Sequence, residues 1–135
     1  LLTQLAQAFS GRTGVHADVH VNCDPRVVPA YDAKIAFYRV AQEALNNVAK
    51  HAKASCVTIR YSTRCSTRDS AQQGSVHLAV IDDGKGFAAK ATGPEKLGLA
   101  IMQERAAAVG AQLTIDSEPG LGTHLFMVWN DEDER

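Results

Sequence analysis

Polar side chains recur at spacings of three and four along one otherwise apolar stretch, residues 35–54. They are Arg39, Glu43, Asn46, Asn47 and Lys50. In a helix this spacing places them on a single face. Because neither Pro nor Gly interrupts the stretch, we predict a helix over these residues, with Asp32 as its N-cap. A solvated surface is the plainest interpretation of such a face. Consecutive asparagines are poor helix formers, however, which favours a face that binds something.

An aspartate and two alternating glycines follow a second apolar stretch. Residues 82–87 read Asp-Asp-Gly-Lys-Gly-Phe and come directly after the strand-like residues 75–81. Gly84 and Gly86 let the backbone turn sharply and approach a flat ligand. Asp82 could accept a hydrogen bond from an exocyclic amine, which adenine carries and guanine replaces with a carbonyl. A turn without a ligand is the alternative, since Asp-Gly is a common turn dipeptide.

A third candidate lies at the predicted start of another helix, residues 97–109. Residues 96–99 read Lys-Leu-Gly-Leu, with Gly98 at their centre. Backbone N–H groups at a helix start are unpaired and the helix dipole is positive there, which suits a polyphosphate. One glycine in this position is weak evidence. The order of the segments supports the interpretation: polar helix, strand with Asp-x-Gly-x-Gly, flap, glycine-containing helix, and a Gly-Leu-Gly-Thr turn.

Periodicity predicts the elements that position these residues. Apolar and polar residues alternate in five strand-like segments: residues 15–21, 56–62, 75–81, 111–117 and 123–129. Residues 1–10 are typical of a helix end, residues 63–74 of an exposed hairpin tip, and residues 88–96 of a flexible flap. We therefore predict an α+β fold, a two-layer sandwich whose mixed sheet of about five strands carries three helices on one face.

The helix predicted over residues 97–109 is amphipathic. Its C-cap is expected at Gly110. The side chains available for burial are those of Leu97, Ile101, Met102 and Ala108.

Length and composition indicate one ordinary globular domain, residues 1–135. The chain is 45% hydrophobic and 21% charged, as in typical globular proteins. A formal net charge of −1 gives no reason to expect nucleic acid or an anionic membrane as a partner. Three cysteines match no zinc-site spacing, so we expect reduced thiols in a cytosolic setting.

In combination, these motifs resemble those of the catalytic ATP-binding domain of bacterial sensor histidine kinases, which share the Bergerat ATP-binding fold with type II topoisomerases and a heat-shock chaperone. QEALNNVAKHAKA resembles the N-box of that family, IDDGKGF its first glycine box, LGLAIMQERAAAVG its second, and GLGTHL its closing Gly-Thr motif. The form of the N-box and of the second glycine box is similar to that of the nitrate-sensor and desaturase-regulator kinases. The resemblance runs from about residue 1 to residue 129.

The resemblance implies roles for the residues that match the N-box. Asn47 would ligate Mg²⁺, with most remaining ligands coming from phosphate and water. Glu43 would position Mg²⁺-bound water or the incoming histidine, or, as in the related ATPases, orient an attacking water. Lys50 and His51 match positions near the phosphates.

The resemblance also implies an ATP site built from the other motifs. Asp82 would read adenine, with Gly84 and Gly86 beside it, and Thr123 would support that aspartate, often through water. Gly98 and Leu99 match the phosphate-binding second box. This box reads Lys-Leu-Gly-Leu-Ala and has one glycine fewer than the fuller Gly-x-Gly-Leu-Gly form.

Partners follow from the same resemblance. None of the five histidines lies in a helical context followed by an acidic residue, so we expect the phosphorylatable histidine on a dimerisation domain outside this chain. Residues 1–12 would be the linker from that domain. The phosphate would pass to the receiver domain of a response regulator. The resemblance implies a cytoplasmic domain of a homodimeric parent kinase; it leaves open whether the parent is anchored in the bacterial inner membrane and whether this domain alone is a monomer.

Two other functions remain open from the sequence. One is an ATPase of the same fold, in which Glu43 activates water. The other is an interaction module that keeps the fold without nucleotide. The motif residues Asn47, Asp82 and Gly86 favour nucleotide binding over the second.

Overall fold

The computed structural model of the protein describes residues 2–65, 74–86 and 94–130. Its helices are α1 (Leu2–Thr13), α2 (Tyr31–Asn47), which continues into a π-helical turn (Val48–Ala52), and α3 (Pro94–Ala108). Its strands are β1 (His16–Asn22), β2 (Cys56–Cys65), β3 (Gly74–Asp82), β4 (Gln112–Ser117) and β5 (Thr123–Asn130). Within the described part of the chain, no helix combines the length and apolar character needed to cross a membrane.

The five strands form one mixed sheet in the order β1-β2-β3-β5-β4. β1 runs parallel to β2, and the other neighbouring pairs are antiparallel. The predicted α+β class and the mixed sheet with three helices are therefore found in the structure. The parallel pair requires a crossover, and α2 lies in that connection between β1 and β2.

The helices cover one face of this sheet. Ile59, Val80 and Leu125 are register partners across β2, β3 and β5, and all three are buried. Val40 and Ala41 of α2 are fully buried against this layer. In β3 the even-numbered side chains are buried and the odd-numbered ones are half-buried, which is the alternation expected when one sheet face packs on helices. α2 therefore packs against the sheet and also contacts α1 and α3.

The start of α2 differs from the prediction. The helix begins at Tyr31, the N-cap position is occupied by Ala30, and no side chain caps it. The assignment of Asp32 as N-cap was wrong, because Asp32 lies inside the first turn. The first helical hydrogen bond runs from Lys34 N to Ala30 O, at 3.0 Å. In the first turn, the Asp32 carboxylate still interacts favourably with the positive end of the helix dipole.

Strand β2 is longer than predicted, since it includes residues 63–65 of the segment assigned to a hairpin tip. Thr63 is buried, although the segment is polar in sequence. The Thr63 hydroxyl accepts a hydrogen bond from Asp24 N at 2.7 Å, so the polar side chain is satisfied inside the fold. The rest of the tip, residues 66–73, lies outside the described residues.

Helix α3 begins three residues earlier than predicted, at Pro94, and its buried side chains differ in part. Met102 and Ala106 are buried, whereas Leu97 is 63% exposed and Ala108 is also exposed, so the predicted burial of Leu97 and Ala108 was wrong. Met102 and Ala106 are four residues apart and therefore share the inward face. Of the predicted flap, residues 88–96, the last three belong to α3, so the flap prediction was wrong for them, and residues 88–93 lie outside the described residues.

The predicted C-cap of α3 is confirmed. Gly110 has φ +77°. The N–H groups of Ala111 and Gly110 donate to the carbonyls of Ala106 and Ala107, which is the Schellman pattern.

Candidate functional site

The polar face of α2 approaches the backbone of α3 closely at Gly98. If Gly98 carried a methyl group, that carbon would lie 2.9 Å from Asn47 Oδ1 and 3.0 Å from Glu43 Oε2. Glu43 and Asn47 are separated by one helical turn and are both half-buried. The absence of a side chain at Gly98 is what lets the two helices bring these oxygens to the α3 backbone. We call Glu43, Asn47 and Gly98 the α2–α3 cluster.

The donor atoms of the α2–α3 cluster fit a hard divalent cation. A carboxylate oxygen and a carboxamide oxygen are ligands that Mg²⁺ accepts in proteins. Two side-chain oxygens do not complete an octahedral shell, so water or phosphate oxygens would supply the rest. In the described ranges no group of three or more His, Cys, Asp or Glu side chains is placed to hold a metal ion. Because two side-chain oxygens leave most of the coordination shell open, the cluster fits a metal that arrives with a phosphate ligand.

Lys50 and His51 lie beyond the α-helical part of this face. Both belong to the π-helical turn, which ends at Ala52 and is followed by Lys53 as C-cap with φ +51°. A π turn winds more slowly than an α-helix, so the spacing of three and four that relates Asn47 to Lys50 in sequence does not hold here. Lys50 is exposed, and the side chain of His51 lies outside the described part of the chain. The sequence analysis did not predict this π-helical turn, because the hydrophobic periodicity of the segment does not indicate it.

Asp82 closes strand β3 and points into the fold. It is 5% exposed and lies on the helix-covered face of the sheet. Its Oδ1 accepts a hydrogen bond from Gly84 N at 2.8 Å. Burial raises the pKa of the Asp82 carboxyl, and hydrogen bonds from the backbones of Gly84 and Thr123 offset only part of that rise. A buried carboxylate with remaining acceptor capacity can bind a donor such as an amine.

The adjacent carboxylate, Asp83, differs from Asp82 in exposure and in hydrogen-bond partners. Asp83 is exposed, and its Oδ1 accepts hydrogen bonds from Ser55 N at 2.8 Å and Cys56 N at 3.1 Å. These backbone donors hold the pKa of Asp83 below its ordinary value. Asp83 thus ties the loop after β3 to the start of β2, a role that the sequence did not reveal.

The glycine loop after β3 packs against the turn between β4 and β5. Gly120 N donates to Lys85 O at 2.6 Å. Gly86 has φ +66°, and a methyl group there would collide with Glu118 O. Gly122 has φ +76°, and a methyl group there would collide with Asp82 O. Each glycine is needed both for its left-handed backbone and for the close approach. Gly84, which lies between Asp82 and Gly86 in the chain, is buried.

Thr123 is placed beside Asp82 by the β3–β5 register, in which the two residues are partners. Side chains of register partners lie on the same face of the sheet. Thr123 Oγ1 is 2.9 Å from Ser117 Oγ, and Ser117 Oγ donates to Gly122 O at 3.0 Å. Sequence reasoning missed Ser117; its place at the end of a strand that precedes the Gly-Thr turn is the only available signal. We call Asp82, Thr123 and Ser117 the β3–β5 cluster.

Gly98 and Leu99 are not at the unpaired start of their helix. Because α3 begins at Pro94, the helical amides without intrahelical partners belong to residues 94–96, and Pro94 has no N–H to offer. The prediction of free amides at Gly98 and Leu99 was therefore wrong. Leu99 is partly buried and packs against the core. Gly98 contributes through close approach instead.

Of the predicted site residues, the structure brings Glu43, Asn47 and Gly98 together in one cluster and Asp82 and Thr123 in another. Lys50 and Leu99 belong to neither. The α2–α3 cluster offers oxygens suited to a metal, and the β3–β5 cluster offers acceptors suited to an amine. A ligand with a base at one end and phosphates at the other matches this division.

A family profile described as histidine kinase-, DNA gyrase B- and HSP90-like ATPase matches residues 32–133. This match covers more than half of the chain, and the chain belongs to that family.

Two histidine kinases of Bacillus subtilis are similar to this chain in sequence. DegS of Bacillus subtilis (strain 168), a signal transduction histidine-protein kinase/phosphatase, is 33% identical over 125 residues, which cover 90% of this chain and 30% of DegS. The sensor histidine kinase LiaS of the same organism is 38% identical over 88 residues, which cover 65% of this chain and 22% of LiaS. The chain therefore spans less than a third of the length of either relative. These similarities confirm the prediction that the chain is the ATP-binding domain of a sensor histidine kinase.

A solved structure shows the same fold. The full-length structure of ShkA in complex with AMPPNP superposes with a TM-score of 0.65 and 22% identity, and the match covers 94% of this chain and 28% of ShkA. The predicted two-layer α+β architecture is confirmed by this similarity.

Proposed function

We propose that this chain binds Mg·ATP and serves as the catalytic domain of a two-component sensor histidine kinase, donating the γ-phosphate to a histidine on a separate dimerisation domain. The observation that carries this proposal is the α2–α3 cluster, where Gly98 allows Asn47 and Glu43 to reach the α3 backbone. A cluster of two hard oxygens that needs further ligands from phosphate is suited to a metal–nucleotide complex.

The base would bind at the other cluster. Asp82 accepts a hydrogen bond from the adenine amine, Thr123 supports that contact, and the loop with Gly84 and Gly86 lets the flat base approach the backbone. The buried position of Asp82 supports this assignment, because water competes poorly there for its hydrogen-bonding capacity.

The phosphates would extend toward α2 and α3. Asn47 would hold Mg²⁺, with help from Glu43, and the bound ion would neutralise charge on the phosphate oxygens. Lys50 and His51 would lie near the phosphates, and Gly98 and Leu99 would form the wall on the α3 side. Phosphoryl transfer depends mainly on positioning and charge neutralisation, so a site without a strong nucleophile of its own is suited to it. The histidine nitrogen of the partner domain forms the new bond to the γ-phosphorus as the bond to the β-phosphate oxygen breaks.

Calorimetric titration with Mg·ATP tests the proposal. We expect the isolated chain to bind ATP and ADP weakly, to hydrolyse little ATP and not to phosphorylate itself. Asp82→Asn should weaken binding, because a carboxamide is a poorer acceptor for the amine than a carboxylate. The matched control is Asp18→Asn, which makes the same change at an exposed position on β1. Binding by Asp82→Asn that equals the wild type would refute the adenine assignment.

Hydrolysis of ATP is a second candidate function, favoured by the position of the Glu43 carboxylate. Its Oε2 faces the same point as Asn47, so it could orient a water as well as a metal. Steady turnover by the isolated chain that is lost in Glu43→Ala would support the hydrolase. Absence of turnover together with intact binding would support the kinase domain. If ATP caused no shift in melting temperature, an interaction module would be the better description.

The remaining proposals concern the parent protein. We assign the chain to the nitrate-sensor and desaturase-regulator group, with a homodimeric parent, a response-regulator receiver domain as phosphate acceptor, and a cytoplasmic location. Residues 1–12 would connect to the dimerisation domain. Ala6 and Phe9 are buried in the core, so this connection would also be part of the folded domain.

A further inference from the structure

Two hydroxyl groups form a hydrogen-bonded chain behind the base-binding end of the site. Ser117 Oγ donates to Gly122 O at 3.0 Å and lies 2.9 Å from Thr123 Oγ1. Thr123 in turn is the register partner of Asp82. The roles proposed above for Asp82 and Thr123 make no use of Ser117, although it contacts the threonine directly.

The direction of this hydrogen-bonded chain follows from the number of hydrogens. A hydroxyl group has one hydrogen and two lone pairs, and a carbonyl oxygen can only accept. Since Ser117 gives its hydrogen to Gly122 O, it can only accept from Thr123. The Thr123 hydrogen is thereby directed to Ser117, and Thr123 Oγ1 has only lone pairs to offer in other directions.

We infer that Ser117 is a positioning residue that makes the base-binding end of the site accept hydrogen bonds only, and that it thereby selects adenine over 6-oxopurines. Asp82 and Thr123 then both present acceptors. The adenine amine donates to such a pair directly. A 6-oxopurine carries a carbonyl in place of that amine, and a carbonyl can donate to neither acceptor.

This inference rests on the proposed function, and base discrimination tests it separately from binding. Mg·ATP and Mg·ITP are titrated calorimetrically into the wild type and into Ser117→Ala, which frees the Thr123 hydroxyl to rotate and donate. We expect the preference for ATP, measured as the ratio of the ITP and ATP dissociation constants, to fall about three- to tenfold, the effect of one neutral hydrogen bond. Ser117→Thr keeps a hydroxyl and should keep the ratio. The matched control Ser75→Ala removes a hydroxyl that pairs with His77 on the opposite sheet face, and should leave the ratio unchanged.

A double-mutant cycle with Thr123→Val tests whether Ser117 acts through Thr123 or only supports the fold. Thr123→Val removes the group that Ser117 orients, so it should itself lower the ratio, and adding Ser117→Ala should then have no further effect on it. Thr123→Val also provides the test if Ser117→Ala does not fold, as judged by its melting curve. A wild type that binds no ATP overturns both the proposed function and this inference. A wild type that prefers ATP, with an unchanged ratio in Ser117→Ala or in Thr123→Val, overturns the inference alone.

Discussion

The contact of α3 with the polar face of α2 can be tested by adding one carbon atom. In Gly98→Ala the new methyl carbon would lie 2.9 Å from Asn47 Oδ1 and 3.0 Å from Glu43 Oε2. Both distances are shorter than ordinary van der Waals contacts, so the ends of these side chains must move by a few tenths of an ångström. The substitution therefore displaces the two oxygens proposed to hold the metal while leaving their chemistry unchanged.

Two opposing terms determine the effect on stability. Replacing Gly by Ala inside a helix favours folding by about 1 kcal/mol. Displacing two side-chain ends from the contact opposes folding by a similar amount, about 1 kcal/mol, as in mild overpacking. We therefore expect the free energy of unfolding of Gly98→Ala to stay within about 1 kcal/mol of the wild type. Affinity for Mg·ATP should fall about tenfold, equivalent to about 1.4 kcal/mol, since the ligand geometry no longer fits.

Gly11→Ala is the matched control. Gly11 also lies in a helix, near the end of α1, and a methyl group there would meet nothing within 4 Å. This variant should be more stable by up to about 1 kcal/mol and should bind Mg·ATP as the wild type does. Urea unfolding and calorimetry, with and without Mg²⁺, measure both effects. If Gly98→Ala gained as much stability as Gly11→Ala and kept full Mg²⁺-dependent binding, the proposed metal role of this cluster would be refuted.

Two further predictions concern Asp82 and the glycine that touches it. Because the pKa of Asp82 is raised above its ordinary 3.8 in the folded state, the folded protein holds this proton more tightly, and the ionised carboxylate lowers stability as pH rises through the window above 3.8. The stability of Asp82→Asn relative to the wild type, from urea unfolding across acidic to neutral pH, should therefore increase with pH; a decrease would contradict the burial argument. Gly122→Ala should destabilise by about 1–3 kcal/mol more than Gly120→Ala in urea unfolding, because both glycines have positive φ but only Gly122 would meet Asp82 O. Equal losses would mean that backbone conformation alone requires glycine at 122.

The strands were predictable because one sheet face is buried. In β3 the alternation of buried and half-buried side chains extends to Asp82, one residue beyond the predicted strand, and places this carboxylate on the core side. The end of β2 was not predictable from local pattern. Thr63 pairs with Val76 of β3, and its hydroxyl accepts a hydrogen bond from Asp24 N, 39 residues away in the chain. A polar segment that is satisfied by a distant partner looks like a loop in the sequence.

The site was predictable only where a single element defines it. Glu43 and Asn47 share a helix face, and helical spacing is enough to find them. The π-helical turn that follows changes the spacing to Lys50 without any break in the hydrophobic pattern. Ser117 could not be found in this way, because its contact with Thr123 exists only once β4 and β5 have paired.

The two neighbouring aspartates show why a motif needs its tertiary surroundings before roles can be assigned. Asp82 is the last residue of β3 and faces the core, so burial raises its pKa. Asp83 lies one residue further and is exposed, where the N–H groups of Ser55 and Cys56 lower its pKa. Asp83 fixes the position at which the chain leaves the strand, and this orients the loop that carries Gly84 and Gly86. The carboxylate proposed to bind the base thus stays buried, while its exposed neighbour anchors the backbone that follows it.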